Sequence, residues 1–456
     1  MRNFIFLIGT LILCSCNQTQ VSETAILITD TNVLNVRNGA IVEHRYVVVD
    51  SGKIKSISEA VENQNAYKTV IDGTDKFLMP GLAEMHAHIP QPSTRNPEIV
   101  DETLFLYLSN GITTIRGMLG HPSHLELREK ALNNEILSPR IYTSSPSLNG
   151  NTISTKEEAV EKVTQYQKEG YDFLKIHPGI QLDVFDTAVE TANKVGIPFA
   201  GHVPVDVGVR HAMESGYASI DHVDGFLEGL VPQSANVDPN ANGFFGYAFT
   251  PLADVKYMDE LVDMAKENEV WIVSTQSLYE RWFAPISGEE LSKQPEMKYM
   301  AASTLKNWIT RKAQLTETDD FDVEQWQQFN TIRRQLMRKL QNKGHGMLLG
   351  SDAPQLFNVP GFSIHHEIDG MRRAGLTPLQ IIQSGTINPA KYFNEEGTYG
   401  EVRVGVDADL ILLNANPLQD LKALKDFTGV MVRGQWLSKE SIDARLTEIA
   451  KANTSK

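Results

Sequence analysis

Cysteine is nearly absent from this chain. It has two, Cys14 and Cys16, both inside the first sixteen residues. The rest of the fold therefore holds no disulfide and no free thiol. Positive charge is in short supply as well: 42 Lys and Arg stand against 57 Asp and Glu, for a net charge of -15. An acidic surface repels phosphate backbones, which argues against nucleic acid as a partner. No apolar run is long enough to cross a bilayer, which takes about 20 residues. Several catalytic motifs are missing too. There is no G-x-S-x-G elbow for a serine nucleophile, no HExxH helix and no phosphate-cradling P-loop. Gly344, Gly346 and Gly350 lack dinucleotide-binding spacing.

What the first residues do have is the layout of an export signal. Arg2 supplies a short positive region, and Phe4 to Leu13 form a compact apolar stretch. The tetrad Leu13-Cys14-Ser15-Cys16 resembles a bacterial lipobox, with a small residue before the acceptor Cys16. Cys14, where that pattern carries a small residue such as Ala or Ser, is the departure. The expectation is a lipoprotein signal peptide over 1–15, lipid attachment at Cys16 and a polar tether over 16–24. That would make an extracytoplasmic protein held to a bacterial membrane by an N-terminal lipid only. The alternative is an ordinary secretory signal cleaved nearby.

Composition is that of a globular protein, with 41% hydrophobic and 22% charged residues over 456 positions. Residues 25–79 read as short Val- and Ile-rich strands, with Asn38-Gly39 and Ser51-Gly52 as turn signals. The same texture returns in residues 400–440, so both chain ends are expected to build one small β-sandwich domain. Between them, residues 80–399 alternate strand and helix. Apolar runs near 82–86, 112–116, 140–143, 172–176, 197–201, 218–221, 270–274 and 347–351 make eight candidate strands. Thr155 followed by Glu158 is a capping-box signature opening one of the intervening helices. Eight βα units in series predict an α/β fold of the (β/α)8 TIM-barrel type. A Gly-, Pro- and Asn-rich loop is expected over 225–250, and a helical insertion around 290–342, with Trp308, Trp326, Phe329 and Leu336 as packing positions. Residues 441–456 read as a C-terminal helix or tail.

Active sites on such barrels lie at the C-terminal ends of the strands. The first candidate strand ends in His86 and His88, whose period-two spacing lets both imidazoles reach one metal. The fourth carries Lys175, the fifth ends at His202, the sixth at His222 and the eighth at Asp352. Any one of these residues alone has an ordinary explanation as a solvated or turn-forming residue. With only 12 histidines in the chain, four at strand ends together point to a metal centre.

These residues carry a resemblance to the amidohydrolase superfamily, and within it to secreted relatives of imidazolonepropionases and Xaa-Pro dipeptidases. It runs through FLMPGLAEMHAH, SNGITTIRGM, GHVP, IDHVDG, GSDAP, SGTINPAKYF and GEVRVGVDADLILLNANPL, nearly the whole mature chain. The resemblance implies that His86, His88 and Asp352 bind one divalent metal. His202 and His222 would bind a second, and Lys175 would bridge the two as a carbamate. An ammonium between two dications would be repelled, so Lys175 must be neutral or modified there. The donor set favours zinc, with manganese, cobalt or iron as alternatives. The implied reaction is hydrolysis of an amide or peptide bond in a small substrate, such as a dipeptide or N-acyl amino acid. A hydroxide shared by the metals would attack the carbonyl, with Asp352 as the proton carrier. Opening of a cyclic amide or lactone, deamination, and solute binding without catalysis are the competing readings.

One departure stands out. Ile115-Arg116-Gly117 lacks the acid that relatives often carry after the second strand, leaving Arg116 either to an ion pair within the barrel or to a substrate carboxylate. His177 either faces the site or opens the next loop. His121 and His124 read as solvated, Tyr279 and Arg281 as substrate contacts, and His365 and His366 as wall residues of the mouth.

Overall fold

The computed structural model describes residues 22–454. The expected signal peptide and the lipid attachment at Cys16 lie outside the described residues. Within them, no helix is long and apolar enough to cross a membrane.

Eight parallel strands form one sheet in sequential order: Leu82–Ala87, Ile112–Gly117, Arg140–Leu148, Phe173–Ile176, Phe199–Gly201, Ser219–Asp221, Trp271–Val273 and Gly346–Leu348. Hydrogen bonds close the ring between the eighth strand and the first. Met85 N donates to Leu349 O at 2.8 Å, Asp352 N to His86 O at 3.0 Å and His88 N to Ala353 O at 2.7 Å. The fold is the expected (β/α)8 barrel, with each strand within a few residues of its apolar run. The helices between strands follow their local signals. Thr155 and Glu158 close a capping box on the helix Lys156–Glu169, satisfying backbone donors that its first turn leaves free.

Strands from both chain ends join in a second, mixed sheet. Its order places Gln435–Ser438, Phe427–Val432 and Leu410–Leu413 beside Phe77–Pro80, followed by Ile26–Leu34, Ile41–Asp50 and Lys53–Ser58, with Thr69–Asp72 pairing to Ile26–Leu34. The sandwich expected from the two ends takes the form of one continuous sheet. Ser51 and Gly52 both adopt positive φ, 52° and 76°, the conformation a two-residue hairpin turn demands. Alternation along the strands sorts side chains by face. Leu78, Leu410 and Leu412 join the sheet's own core, while Met79, Ile411 and Leu413 pack into the barrel's.

The long connections lie on the barrel's C-terminal face. Residues 225–250, expected as plain loop, are wound into short helical turns, including Phe226–Gly229 and Phe244–Leu252. Their aromatic residues explain the difference: Tyr247 and Phe249 are buried, and burial of such residues holds the backbone in compact turns. The insertion contributes the helices Ala302–Thr316 and Val323–Lys343. Trp308, Phe329 and Leu336 are buried in it as expected. Trp326 is half-buried, and its indole N–H donates to Tyr279 O and Phe283 O at 3.0 and 2.5 Å.

Candidate functional site

The middle of the barrel is charged. Arg116 on the second strand is fully buried, and its guanidinium donates to Asp221 Oδ1 (2.8 Å), Met85 O (2.6 Å), Ser219 Oγ (2.8 Å) and Tyr392 Oη (2.9 Å). Of its two readings, the ion pair within the barrel is the one the structure holds. Fully buried, with four of its five N–H donors engaged inside the barrel, the guanidinium does not reach for a substrate. Asp221 had gone unremarked as the residue before His222. Strand alternation turns Ser219 and Asp221 inward together, and the buried carboxyl is held well below its usual range, burial being outweighed by Arg116 and His86.

Above this layer the strand ends bring the candidate ligands together. The ligand atoms of His86, His88 and Asp352 lie within 4.8 Å of one another. His88 Nε2 donates to Asp352 Oδ1 at 2.7 Å, and His86 Nε2 lies 3.6 Å from the same oxygen. The His86 ring is centred 4.5 Å from that of His222, and His222 is 4.6 Å from His202. Lys175 Nζ, fully buried, lies 3.9 Å from Asp221 Oδ2. The same oxygen is 3.1 Å from His86 Nδ1, without the alignment of a hydrogen bond.

Neighbouring groups orient these rings. His202 Nδ1 donates to Asp224 at 3.0 Å, and His222 Nδ1 shares a hydrogen bond with Thr275 Oγ1 at 2.8 Å. Arg333, from the insertion helix Val323–Lys343, donates to His222 O at 2.8 Å and Ser274 O at 3.1 Å. Buried Glu84 accepts from His86 N at 3.1 Å and Ser351 N at 2.7 Å, tying the first strand to the eighth beside their ligand-type residues. His222, Val223, Thr275 and Asp352 all have left-handed φ, between 42° and 66°. Non-glycine residues adopt that region at a cost, and such strain gathers at functional sites. Neither the strain nor the Arg333 contact leaves a signature in the sequence.

Electrostatics follow from burial among these groups. Burial opposes ionisation of Asp352, yet His86, His88 and Lys175 outweigh it and hold the carboxyl down at about 2. Burial lowers His86 to about 4 and Lys175 to about 8, and drives His222 well below the ordinary imidazole value. Burial thus favours the neutral imidazole at His86 and His222, with lone pairs to donate. Lys175 Nζ, His86 Nδ1 and Asp221 Oδ2 are buried without hydrogen-bond partners among the described residues. Uncompensated polar atoms of this kind are costly. Clustered imidazoles, an ionised carboxylate and an unsatisfied amine are a donor set that fits divalent cations.

The mouth has two walls. Phe245, half-buried, sets its ring 5.3 Å from His222 and 5.8 Å from His202. The His177 ring stacks on that of His202 at 5.0 Å and 25°, so His177 does face the site. The remaining candidates do not. Tyr279 is fully buried beneath Phe244 and Phe245, and Arg281 is buried, donating to Phe357 O at 2.8 Å. Both support the loops of the mouth in place of touching a substrate. His124, read as solvated, is buried as well, because its helix Pro122–Leu132 turns it inward. Burial lowers it to about 4. His121 caps that helix by accepting from Ser123 N. His365 bonds Asn110 Oδ1 at 3.1 Å, and His366 bonds Glu296 at 2.8 Å.

Comparison with known proteins places this geometry. The sequence profile of the amidohydrolase family matches residues 77–437. Ochratoxinase of Aspergillus niger is 29% identical over 178 residues, 38% of this chain and 30% of that protein, so the alignment spans under a third of the curated relative. The solved structure of ochratoxinase superposes more widely, over 91% of this chain and 95% of that one, with a TM-score of 0.62 at 16% identity. A bottromycin amidohydrolase gives a TM-score of 0.71 at 19% identity, covering 94% of this chain and 91% of that one. A Xaa-Pro dipeptidase with methionine bound in its active site gives 0.63 at 20% identity, covering 91% and 100%.

Proposed function

The chain belongs to the amidohydrolase family, and from that premise we propose that it is a metal-dependent hydrolase of carbon–nitrogen bonds in small amides such as dipeptides and N-acyl amino acids. One observation carries the proposal. His86, His88, Lys175, His202, His222 and Asp352, from five separate strand ends, converge above a buried charged layer, and two buried nitrogens among them, His86 Nδ1 and Lys175 Nζ, have no hydrogen-bond partner among the described residues. The names of two structural relatives, a dipeptidase and an amidohydrolase, suit an amide substrate.

In this reading His86, His88 and Asp352 hold one divalent cation and His202 and His222 the other. Zinc suits the donors, with manganese, cobalt or iron as alternatives. When bound, the cations supply acidified water and a polarised scissile carbonyl. Lys175, whose burial favours the neutral amine, adds carbon dioxide at Nζ. An N–C bond would form and one proton leave, giving an anionic carbamate that would supply oxygen donors to the cations. Asp352, held ionised by His86 and His88, accepts a proton from the attacking water. It returns that proton to the amine nitrogen as the C–N bond breaks. Thr275 and Asp224 fix the imidazoles of His222 and His202, and Phe245 keeps bulk water from that side of the site.

The test is a hydrolysis screen of zinc- or manganese-loaded protein against dipeptides, N-acyl amino acids and lactones. Cleavage of an amide, abolished by chelation and restored by metal, is the expected result. Loaded protein that cleaves lactones alone, or nothing, contradicts the reading. The proposal extends to location: Cys16 carries a lipid that anchors the protein outside the cytoplasm of a bacterium. A mature N-terminus whose mass shows an acylated Cys16 is the expected finding, and an unmodified one refutes the anchor.

A further inference from the structure

His177 is half-buried and held at the site through its backbone and one ring nitrogen. Its backbone N–H donates to Leu148 O at 2.8 Å, fixing the residue beside the third strand. Its Nδ1 lies 2.7 Å from Ser147 Oγ, and Asn149 Nδ2 donates to that same hydroxyl at 2.8 Å. Two arrangements fit these distances: in one, Asn149 donates to Ser147 and Ser147 donates to His177 Nδ1, which leaves the ring proton on Nε2 free for a ligand. The alternative, in which Nδ1–H donates to Ser147, leaves the serine hydroxyl proton without a partner among the described residues. With Nδ1 accepting, the ring proton of the neutral imidazole sits on Nε2. Nε2 has no hydrogen-bond partner among the described residues, and the ring lies against His202. The Phe245 ring also lies against His202, 5.8 Å away.

We propose that His177 is a substrate-binding residue, its Nε2–H donating to an oxygen acceptor of the bound amide while Phe245 packs the substrate's apolar side chain. The ligand's identity rests on the amide-hydrolase reading; the tautomer is part of this proposal and is tested apart from that reading. The acceptor is a carbonyl or a carboxylate oxygen, and both satisfy the same donor. An apolar, preferably aromatic, group next to the scissile bond follows from the Phe245 wall. The relay Asn149–Ser147–His177 pays the orientation cost in advance, since the ring need not turn when substrate arrives.

Two variants separate donation from stacking. His177→Phe keeps a ring against His202 and loses the donor; His177→Gln keeps a donor near the Nε2 position and loses the ring. With glycyl-L-phenylalanine, L-phenylalanylglycine and N-acetyl-L-phenylalanine as probes, His177→Phe should lose about tenfold in kcat/KM with metal content unchanged, the scale of a lost hydrogen bond leaving an unpaired acceptor. His177→Gln should recover most of that loss. Comparing glycyl-L-phenylalanine with its carboxamide assigns the acceptor. An equal loss on both in His177→Phe marks the carbonyl, and a loss confined to the free acid marks the carboxylate. Full activity in His177→Phe with loss in His177→Gln would mean that stacking alone matters, and overturns the proposal. Nitrogen NMR of histidine-labelled protein gives a readout independent of turnover. His177 should be the Nε2–H tautomer in the wild type and mixed in Ser147→Ala, and an Nδ1–H ring in the wild type also overturns it. A protein with the Nε2–H tautomer that cleaves none of the probes, and whose His177 signals shift on adding glycyl-L-phenylalanine, refutes the amide chemistry and leaves the binding role standing. Unshifted signals refute both.

Discussion

Replacing Arg116 by methionine should cost the barrel more than any surface substitution. The guanidinium is fully buried and donates to Asp221, Ser219, Tyr392 and the Met85 carbonyl, all at 2.6–2.9 Å. Methionine matches much of its length and supplies no donor. The variant therefore leaves an uncompensated carboxylate at Asp221, which is itself fully buried. Breaking a buried ion pair from one side costs about 3–5 kcal/mol. Lys175, 3.9 Å from the other oxygen of Asp221, takes up part of the imbalance, so about 4 kcal/mol is expected, roughly a thousandfold in the folding equilibrium. Urea unfolding of chelator-treated protein, followed by fluorescence and circular dichroism together, measures this without metal linkage. The double variant Arg116→Met, Asp221→Asn should recover at least about 2 kcal/mol, because the stranded charge is gone. An Arg116→Met loss below about 1 kcal/mol, or a double variant no better than the single, would refute the reasoning. It would mean the pair's desolvation cost cancels its attraction.

Other consequences can be read in the same way. Asp352→Asn should lose about a thousandfold or more in kcat, on the scale of a lost acid–base group, while elemental analysis finds the metals retained. Full turnover would remove Asp352 as the proton carrier. His124 is held at about 4 by burial against roughly 6.5 when unfolded. Below pH 6.5 the unfolded chain takes up a proton that the folded one refuses, so stability falls from there down toward pH 4. The His124→Leu variant should flatten that limb in urea titrations at several pH values, and an unchanged slope contradicts the assignment. Gly246→Ala should lower stability by about 1–2 kcal/mol, because φ is 81° and a Cβ would meet the Glu228 carboxylate at 2.8 Å. It should also raise KM by displacing Phe245, and unchanged steady-state kinetics would separate the loop from substrate binding.

The barrel was legible because its strands announce themselves. Short Val- and Ile-rich runs end in ligand-type residues at a spacing that helices fill, and the Thr155 capping box is local enough to survive any tertiary context. The candidate ligands were legible because strand ends map to one face of the barrel whatever the loops do. What supports them was not. Arg333 reaches His222 O across 111 positions, and Glu84 reaches Ser351 across 267. No periodicity encodes pairings of that range. Tyr279, Arg281 and His124 looked like surface or substrate residues because nothing in a sequence reveals which loop will fold over them. Asp221 had a signal, since it shares the inward face of its strand with Ser219, but its meaning depended on Arg116 arriving from the second strand.

The account turns on cations gathered by His86, His88, Lys175, His202, His222 and Asp352. The most direct test counts metal by elemental analysis in zinc-reconstituted wild-type protein and in the variants His88→Ala and His202→Ala. Two equivalents per chain in the wild type and about one in each variant is the prediction. Wild-type protein that keeps one equivalent or none, or variants that keep two, would contradict it.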